Sequence, residues 1–192
     1  MNSILAKRSF VSLSRVALLP AIRLLPAAFL FSTFVPVYTA QQIPATQAKT
    51  LNGASVSFPD AASGKPLLFV LGFSHKSSEP CKAWDKRLSP LYLNDSRVLY
   101  YQAADFQGVP SLILKMILHG MKREIPANEH SHFVLLQTNE DQWKSVTQFS
   151  APDEAYILLT DPAGHIVWQT HGAATDDQLA ALQAAIKAQL KN

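Results

Sequence analysis

The chain has 192 residues, of which 48% are hydrophobic and 16% charged, and this composition predicts one packed globular domain and excludes a disordered chain. The single cysteine excludes an internal disulfide and a four-cysteine zinc site. The net charge of +3 comes from the N-terminus, because no acidic residue precedes Asp60, and the nearly neutral body argues against a nucleic-acid-binding surface.

The first 40 residues have the order of a targeting sequence. An apolar run from Leu24 to Val37 is followed by the small residue Ala40, and four basic residues precede the run: Lys7, Arg8, Arg15 and Arg23. A helix of 14 residues is about 21 Å long, less than the roughly 30 Å of a bilayer core. Residues 18–37 are long enough but include an arginine and three prolines. We predict that residues 1–40 are a signal peptide or a membrane anchor, with 18–37 as the tether.

This N-terminal segment determines the predicted location and the domain boundaries. It favours a periplasmic protein or one anchored in the inner membrane. A mitochondrial transit peptide, which is also Arg-rich and poor in acidic residues, is the alternative. Residues 41–50 are polar and lack periodicity, so they are predicted to be a linker, and residues 51–192 to be the domain.

Two strands are predicted at the start of the domain. Residues 51–58 alternate in polarity and predict a short edge strand, with a turn at Asn52 and Gly53. The uncharged run Leu67–Phe73 predicts a central strand that is covered on both faces of its sheet.

A helix is predicted directly after the central strand. Ser78 is a suitable N-cap, and four residues lie on one face at helical spacing: Cys81, Trp84, Leu88 and Leu91. Pro90 predicts that this helix ends or kinks near Ser89, because proline disrupts the interior of a helix.

The remaining elements alternate between strands and helices. We predict strands at 97–103, 132–137, 155–159 and 165–168, and helices at 110–121 and 140–149. Thr175 and Gln178 have the spacing of a capping box that begins a C-terminal amphipathic helix. The order predicts an α/β fold, a three-layer sandwich with a mixed central sheet, preceded by the signal or anchor segment.

The order of elements, with a cysteine at a helix start after the first central strand, resembles the thioredoxin superfamily and its TlpA-like and peroxiredoxin-like branches. The segment Phe73–Lys82 resembles the superfamily's active-site turn, in which two cysteines separated by two residues open a helix. Here the second cysteine is kept as Cys81, and Ser78 stands at the position of the attacking one. Ala155 stands where the superfamily has a cis-proline. The resemblance implies a thioredoxin-like domain that is not a competent dithiol oxidoreductase.

A narrower resemblance is carried by three segments: Lys115–Pro126, Tyr156–Trp168 and Gly172–Thr175. Together they are similar to the mitochondrial ATP synthase assembly factors. That resemblance implies a thioredoxin-like domain that acts as a chaperone for the membrane subunit a, without dithiol chemistry.

Cys81 and Ser78 are the candidate catalytic residues. A cysteine near a helix N-terminus is favoured as a thiolate, so a monothiol role is one interpretation of Cys81 and a structural role is the other. Ser78 has His75 three residues before it, but no orienting carboxylate or oxyanion hole follows at a recognisable spacing. An N-cap is therefore the preferred interpretation of Ser78.

Two further groups of residues have alternative interpretations. His130 and His132 have the spacing of metal ligands on a strand, and with Cys81 or His75 they would suit copper; solvated surface histidines are the preferred interpretation. A stripe on the predicted helix 110–121 would bind a partner if it were exposed and would be core otherwise: Leu112, Ile113, Met116 and Met121.

The sequence as a whole predicts an exported, non-catalytic assembly, chaperone or interaction factor at the membrane. Its partner is predicted to be a protein, with a membrane protein as one option; neither a nucleic acid nor a cofactor is expected. The predicted interaction surface is the former active-site end: His75, Ser78, Cys81, Trp84 and Ala155. The alternatives are a monothiol thiol–disulfide or peroxide-active protein that uses Cys81, and a copper-delivery protein.

Overall fold

The computed structural model describes residues 41–191, so the predicted signal or anchor at residues 1–40 lies outside the described residues. The strands are β1 Thr46–Thr50, β2 Ser55–Phe58, β3 Leu67–Gly72, β4 Leu99–Asp105, β5 Phe133–Leu136, β6 Ala155–Thr160 and β7 Ile166–His171. The α-helices are α1 Ser78–Tyr92, α2 Ser111–Glu124, α3 Glu140–Val146 and α4 Asp176–Gln189, and single 3-10 turns lie at Asp60–Ala62, His75–Ser77 and Ala127–Glu129. Within the described range, none of the helices has the length and hydropathy of a membrane span.

The seven strands form one mixed sheet in the order β2-β1-β5-β4-β3-β6-β7. β3 pairs with β4, and β4 with β5, in parallel, whereas every other pairing is antiparallel. α1 and α4 pack on one face, around Leu68 and Val70, and α3 packs on the other, around Phe69 and Leu71. The predicted α/β sandwich with a mixed sheet is therefore confirmed.

β3 is the centre of this sheet, as its sequence predicts. Its residues from Leu67 to Leu71 are all buried, because helices cover both faces of the strand. A strand covered in this way needs apolar side chains on both sides, and this explains the uninterrupted apolar run. The carboxyl end of β3 leads directly into the turn before α1, so the best-buried strand positions the candidate site.

The predicted linker at residues 41–50 is wrong, because this segment belongs to the folded body. The Ile166 amide donates to the Gln41 carbonyl at 2.7 Å, and the Ile43 amide donates to Gly164 at 3.0 Å. β1 alternates between buried and exposed positions, and its buried residues include threonines. The Trp143 indole donates to the Thr46 hydroxyl at 3.1 Å. A threonine can be buried when its hydroxyl has a hydrogen-bond partner. The sequence of this strand is therefore polar although its inward-facing residues are buried.

Of the two effects predicted for Pro90, the end of α1 near Ser89 is wrong, since the helix continues through Pro90 to Tyr92. Leu88 and Leu93 are buried on either side of the proline, and the Leu93 amide donates to the Ser89 carbonyl at 3.0 Å. Packing of these two side chains against the sheet holds the last turn in helical form despite the missing proline N–H.

The C-terminal elements agree with the sequence prediction. β6 and β7 form the expected hairpin, and the Asp161 carboxylate accepts from the amides of Ala163 and His165 in its turn. The Thr175 hydroxyl accepts from the Gln178 amide at 3.2 Å and caps α4. Strong local signals therefore placed these elements correctly.

Candidate functional site

The candidate site is the turn between β3 and α1, at the carboxyl end of β3. Gly72, the last residue of β3, pairs with Ala155, the first residue of β6. Ala155 therefore lies beside the turn, where the superfamily resemblance places it, and it is completely buried. The loop before β6 lies over the same end of the sheet, because the Ser74 hydroxyl donates to the Pro152 carbonyl at 2.5 Å.

Serine hydroxyls hold this turn together. The Ser74 side chain accepts from the Lys76 amide at 3.0 Å and caps the 3-10 turn His75–Ser77. The Ser77 side chain is buried, and its hydroxyl donates to the Ser74 carbonyl at 2.7 Å. The predicted N-cap role of Ser78 is wrong: Ser78 is the first residue of α1 and Ser77 is the N-cap, and the side-chain cap comes from Ser74 on the preceding 3-10 turn.

The Cys81 thiol lies behind this turn, in the first turn of α1. Its Sγ donates to the Leu71 carbonyl at 3.5 Å, and the side chain packs against the core on the α1 face of the sheet. Burial raises the pKa of this thiol to about 12, with a smaller upward contribution from the Asp85 carboxylate, against the Ser77 hydrogen bond that lowers it. Desolvation therefore outweighs the helix N-terminus, and Cys81 is protonated at neutral pH.

Gly72 is the residue that brings the thiol and the turn together. A Cβ atom on Gly72 would lie 2.5 Å from the Ser77 Oγ and 3.1 Å from the Cys81 Sγ. The first distance is shorter than any ordinary carbon–oxygen contact, so a side chain here would displace the serine. The absence of a side chain at Gly72 thus lets the turn and the thiol approach each other closely.

A second polar group lies deeper along α1 and adds negative charge near the thiol. The Tyr100 hydroxyl donates to the Asp85 carboxylate at 2.7 Å. Burial raises the pKa of Asp85, and burial together with the neighbouring Asp85 raises the pKa of Tyr100 well above its ordinary value. No cation neutralises this carboxylate among its hydrogen-bond and ion-pair partners within residues 41–191.

The predicted interaction residues divide into accessible and inaccessible ones. Trp84 is completely buried, and its indole donates to the Gly172 carbonyl at 2.9 Å. Ala155 is equally buried, whereas His75 is exposed and Ser78 is partly exposed. Cys81 is partly exposed like Ser78, while Trp84 and Ala155 lie beneath these residues.

The histidines proposed for a metal are used in hydrogen bonds to the backbone. The His130 ring donates from Nε2 to the Ile125 carbonyl, and the His132 ring from Nδ1 to the Tyr100 carbonyl, each at 2.9 Å. In the part of the chain that the structure describes, no three His, Cys, Asp or Glu side chains are grouped to hold a metal ion. The copper-delivery alternative thus gains no support from the geometry.

Sequence reasoning missed the roles of Gly72, Ser74 and Ser77. The spacing of Ser74 and Ser77 was a weak capping signal, and the close approach at Gly72 depends on tertiary packing. The sequence left open whether the apolar residues of the predicted helix 110–121 are exposed or belong to the core. In the structure Leu112, Ile113 and Met116 are exposed, whereas Met121 packs against the small cluster under α2.

Comparison with known proteins gives a family and a fold. The model of the family described as ATP10 protein matches residues 33–188. The thioredoxin domain of a thiol-disulfide oxidoreductase from Bacteroides vulgatus is 21% identical, covers 77% of this chain and 96% of that chain, and has a TM-score of 0.54. An exposed lipoprotein thioredoxin, Etrx1, from Streptococcus pneumoniae is 11% identical and has a TM-score of 0.52. The match covers 75% of this chain and 99% of that chain. At these identities the likeness establishes a thioredoxin-like fold; the curated proteins contain no match.

Proposed function

This chain belongs to the ATP10 protein family, and we propose that it is an ATP synthase assembly factor that works without thiol chemistry. The family match supports an assembly or interaction role, and the thioredoxin-like fold supplies the scaffold. The chain binds a protein partner, which we take to be the membrane subunit a that the family resemblance implies, and acts at the membrane in which that subunit is assembled.

Cys81 is partly buried, and the desolvation of its thiol, which keeps the thiol neutral, is the observation that carries the proposal. Thiol–disulfide exchange requires a thiolate that can reach its target, and a dithiol cycle requires a second cysteine. The pKa of Cys81 is raised to about 12, and the chain has no other cysteine. The raised pKa also argues against the monothiol alternative, because a neutral thiol is a poor nucleophile toward a disulfide or a peroxide.

The accessible part of the former redox end is the partner-binding surface in this proposal. His75 and Ser78 stand at its rim, and the hydrogen bonds of Ser74 and Ser77 fix the backbone beneath them. A rigid, preorganised surface loses little conformational entropy when a partner binds. The serines therefore have a structural reason to be present at a site that no longer carries out redox chemistry.

Complementation of cells that lack this chain tests the proposal. We expect the amount of assembled ATP synthase, measured on native gels, to fall in those cells and to be restored equally by the wild-type chain and by Cys81→Ser. The proposal also predicts that Ser78→Arg restores assembly poorly. Ala163→Arg, on the exposed β6–β7 turn, is the matched control and should restore it fully.

Three results would contradict the proposal. Normal ATP synthase without the chain would remove the assembly role, and failure of Cys81→Ser to restore assembly at normal protein levels would restore a role for the thiol. Equal restoration by Ser78→Arg and Ala163→Arg would place the partner surface elsewhere.

A further inference from the structure

α2 exposes an apolar surface that the fold does not cover. Four residues, named here the α2 stripe, have exposed fractions of 72%, 51%, 69% and 38%: Leu112, Ile113, Met116 and Ile117. None of the residues of α2 is buried. Residues three and four apart are neighbours on a helix surface, so these side chains form one patch. A surface helix ordinarily turns its apolar side to the core, and this one keeps apolar side chains on its outer side as well.

The stripe is held outward because α2 is attached to the sheet by its other side. Leu118, Met121 and the following Ile125 pack against a small cluster that contains Leu51 and Phe133. By helical periodicity Leu118 and Met121 lie on the opposite side from Leu112 and Met116. The exposure of the α2 stripe therefore follows from the packing of the helix and does not require α2 to detach.

Three cations accompany the stripe on the same helix: Lys115, Lys122 and Arg123 are all exposed. None of them takes part in an ion pair within residues 41–191. The sequence contains no acidic residue between Asp105 and Glu124. Lys122 and Arg123 also suit the last turn of a helix through its dipole, but Lys115 lies in the first half and has no such explanation.

We propose that the α2 stripe and these cations bind the surface of an anionic phospholipid bilayer. A helix with apolar and basic exposed residues lies in the interface plane, with its apolar side chains among the acyl chains and its lysines at the headgroups. An apolar protein segment would cover the stripe but would leave three cations without counter-charges. An anionic bilayer satisfies both the apolar and the charged component. The inference goes beyond the assembly role, because it concerns how the folded domain lies at a membrane.

A local probe on the full chain tests this inference. The sequence also contains the apolar run 24–37, so the readout has to report on α2 itself. In a Cys81→Ser background, Met116→Cys is labelled with the environment-sensitive fluorophore NBD. We expect its emission to shift to the blue with vesicles of three parts phosphatidylcholine to one part phosphatidylglycerol, and to stay unchanged with pure phosphatidylcholine. Val167→Cys on β7, 41% exposed, is the matched control site and should not shift.

A charge variant measures the electrostatic component. The double variant Lys115→Gln with Lys122→Gln should need about 25-fold more anionic vesicles to reach half of the maximal shift. This corresponds to about fivefold for each cation removed. Lys187→Gln with Lys191→Gln removes two exposed lysines at the end of α4 and serves as the control, with little change expected.

Several outcomes would overturn the inference. One is the absence of a shift at position 116, and another is an equal shift at 116 and 167. An equal response to neutral vesicles would remove the role of the cations. If the shift appears only with neutral vesicles that contain the membrane partner, the α2 stripe binds a protein. A shift that grows with protein concentration without vesicles would assign it to a second copy of the chain. None of these results depends on the complementation assay, so the two proposals fail separately.

Discussion

The turn after β3 and the helix α2 treat their reactive and apolar groups in opposite ways. In the turn, serine hydroxyls are paired, Gly72 leaves no room for a side chain, and the Cys81 thiol lies behind them. In α2, apolar side chains stand in the open and the neighbouring lysines have no ion-pair partner within the described range. The polar groups of the turn after β3, which resembles a redox centre, are thus used within the protein. The apolar and basic side chains of α2 face solvent. We infer from this contrast that the protein acts by binding other molecules and not by thiol chemistry.

The largest expected difference between the two regions is in thiol reactivity. At pH 8 a thiol with a pKa of about 12 has roughly a thousandfold less thiolate than one at the ordinary value of 9.0. Because a more basic thiolate is also a better nucleophile, native Cys81 should be alkylated by iodoacetamide roughly thirtyfold more slowly than the single cysteine of Cys81→Ser with Met116→Cys. Mass spectrometry of timed samples measures both rates. Comparable rates would mean that the fold does not keep this thiol neutral.

Paired glycine substitutions should change stability in opposite directions. Gly72→Ala places a Cβ atom against Ser77 and should lower the free energy of unfolding by about 1–3 kcal/mol. Gly120→Ala on α2 meets nothing within 4 Å, and it should raise that free energy by about 0.5–1 kcal/mol because alanine favours a helix. Urea denaturation of the full chain measures both. The contrast fails if the two variants shift stability in the same direction.

A smaller difference is expected from paired serine substitutions. Ser74→Ala removes the cap of the 3-10 turn and the bond to Pro152, and should lower the free energy of unfolding by about 1 kcal/mol. Ser111→Ala, at the exposed start of α2, removes no side-chain hydrogen bond found within residues 41–191 and should change it by less than about 0.5 kcal/mol. Thermal denaturation followed by circular dichroism compares the two, and equal losses would show that the hydroxyl bonds in the turn are dispensable.

The sequence predicted most of the fold because the signals there are local. The apolar run of β3, the hairpin turn that contains Asp161 and the cap at Thr175 each specify an element through neighbouring residues. β1 was missed since its buried positions include threonines, whose hydroxyls are satisfied by distant partners such as Trp143. Periodicity of apolar residues does not detect a strand of that kind.

The candidate site was only partly predictable. The position of Cys81 at the start of a helix after a central strand could be read from the sequence, and so could the neighbouring position of Ala155. The protonation state of the thiol could not be read from the sequence. Desolvation outweighs the effect of the helix N-terminus on the pKa of Cys81, and desolvation depends on packing from other elements. The exposure of Met116 likewise depends on which side of α2 meets the sheet, which helical spacing alone leaves open.

Recovery of the partner from detergent-solubilised membranes tests the central claim most directly. Tagged wild-type chain and Cys81→Ser are expressed at equal levels, and the ATP synthase membrane subunit that co-purifies is quantified by mass spectrometry with and without dithiothreitol. We predict equal recovery from both chains and no release by the reductant. Loss of the subunit with Cys81→Ser, or its release by dithiothreitol, would contradict an assembly factor that works without its thiol.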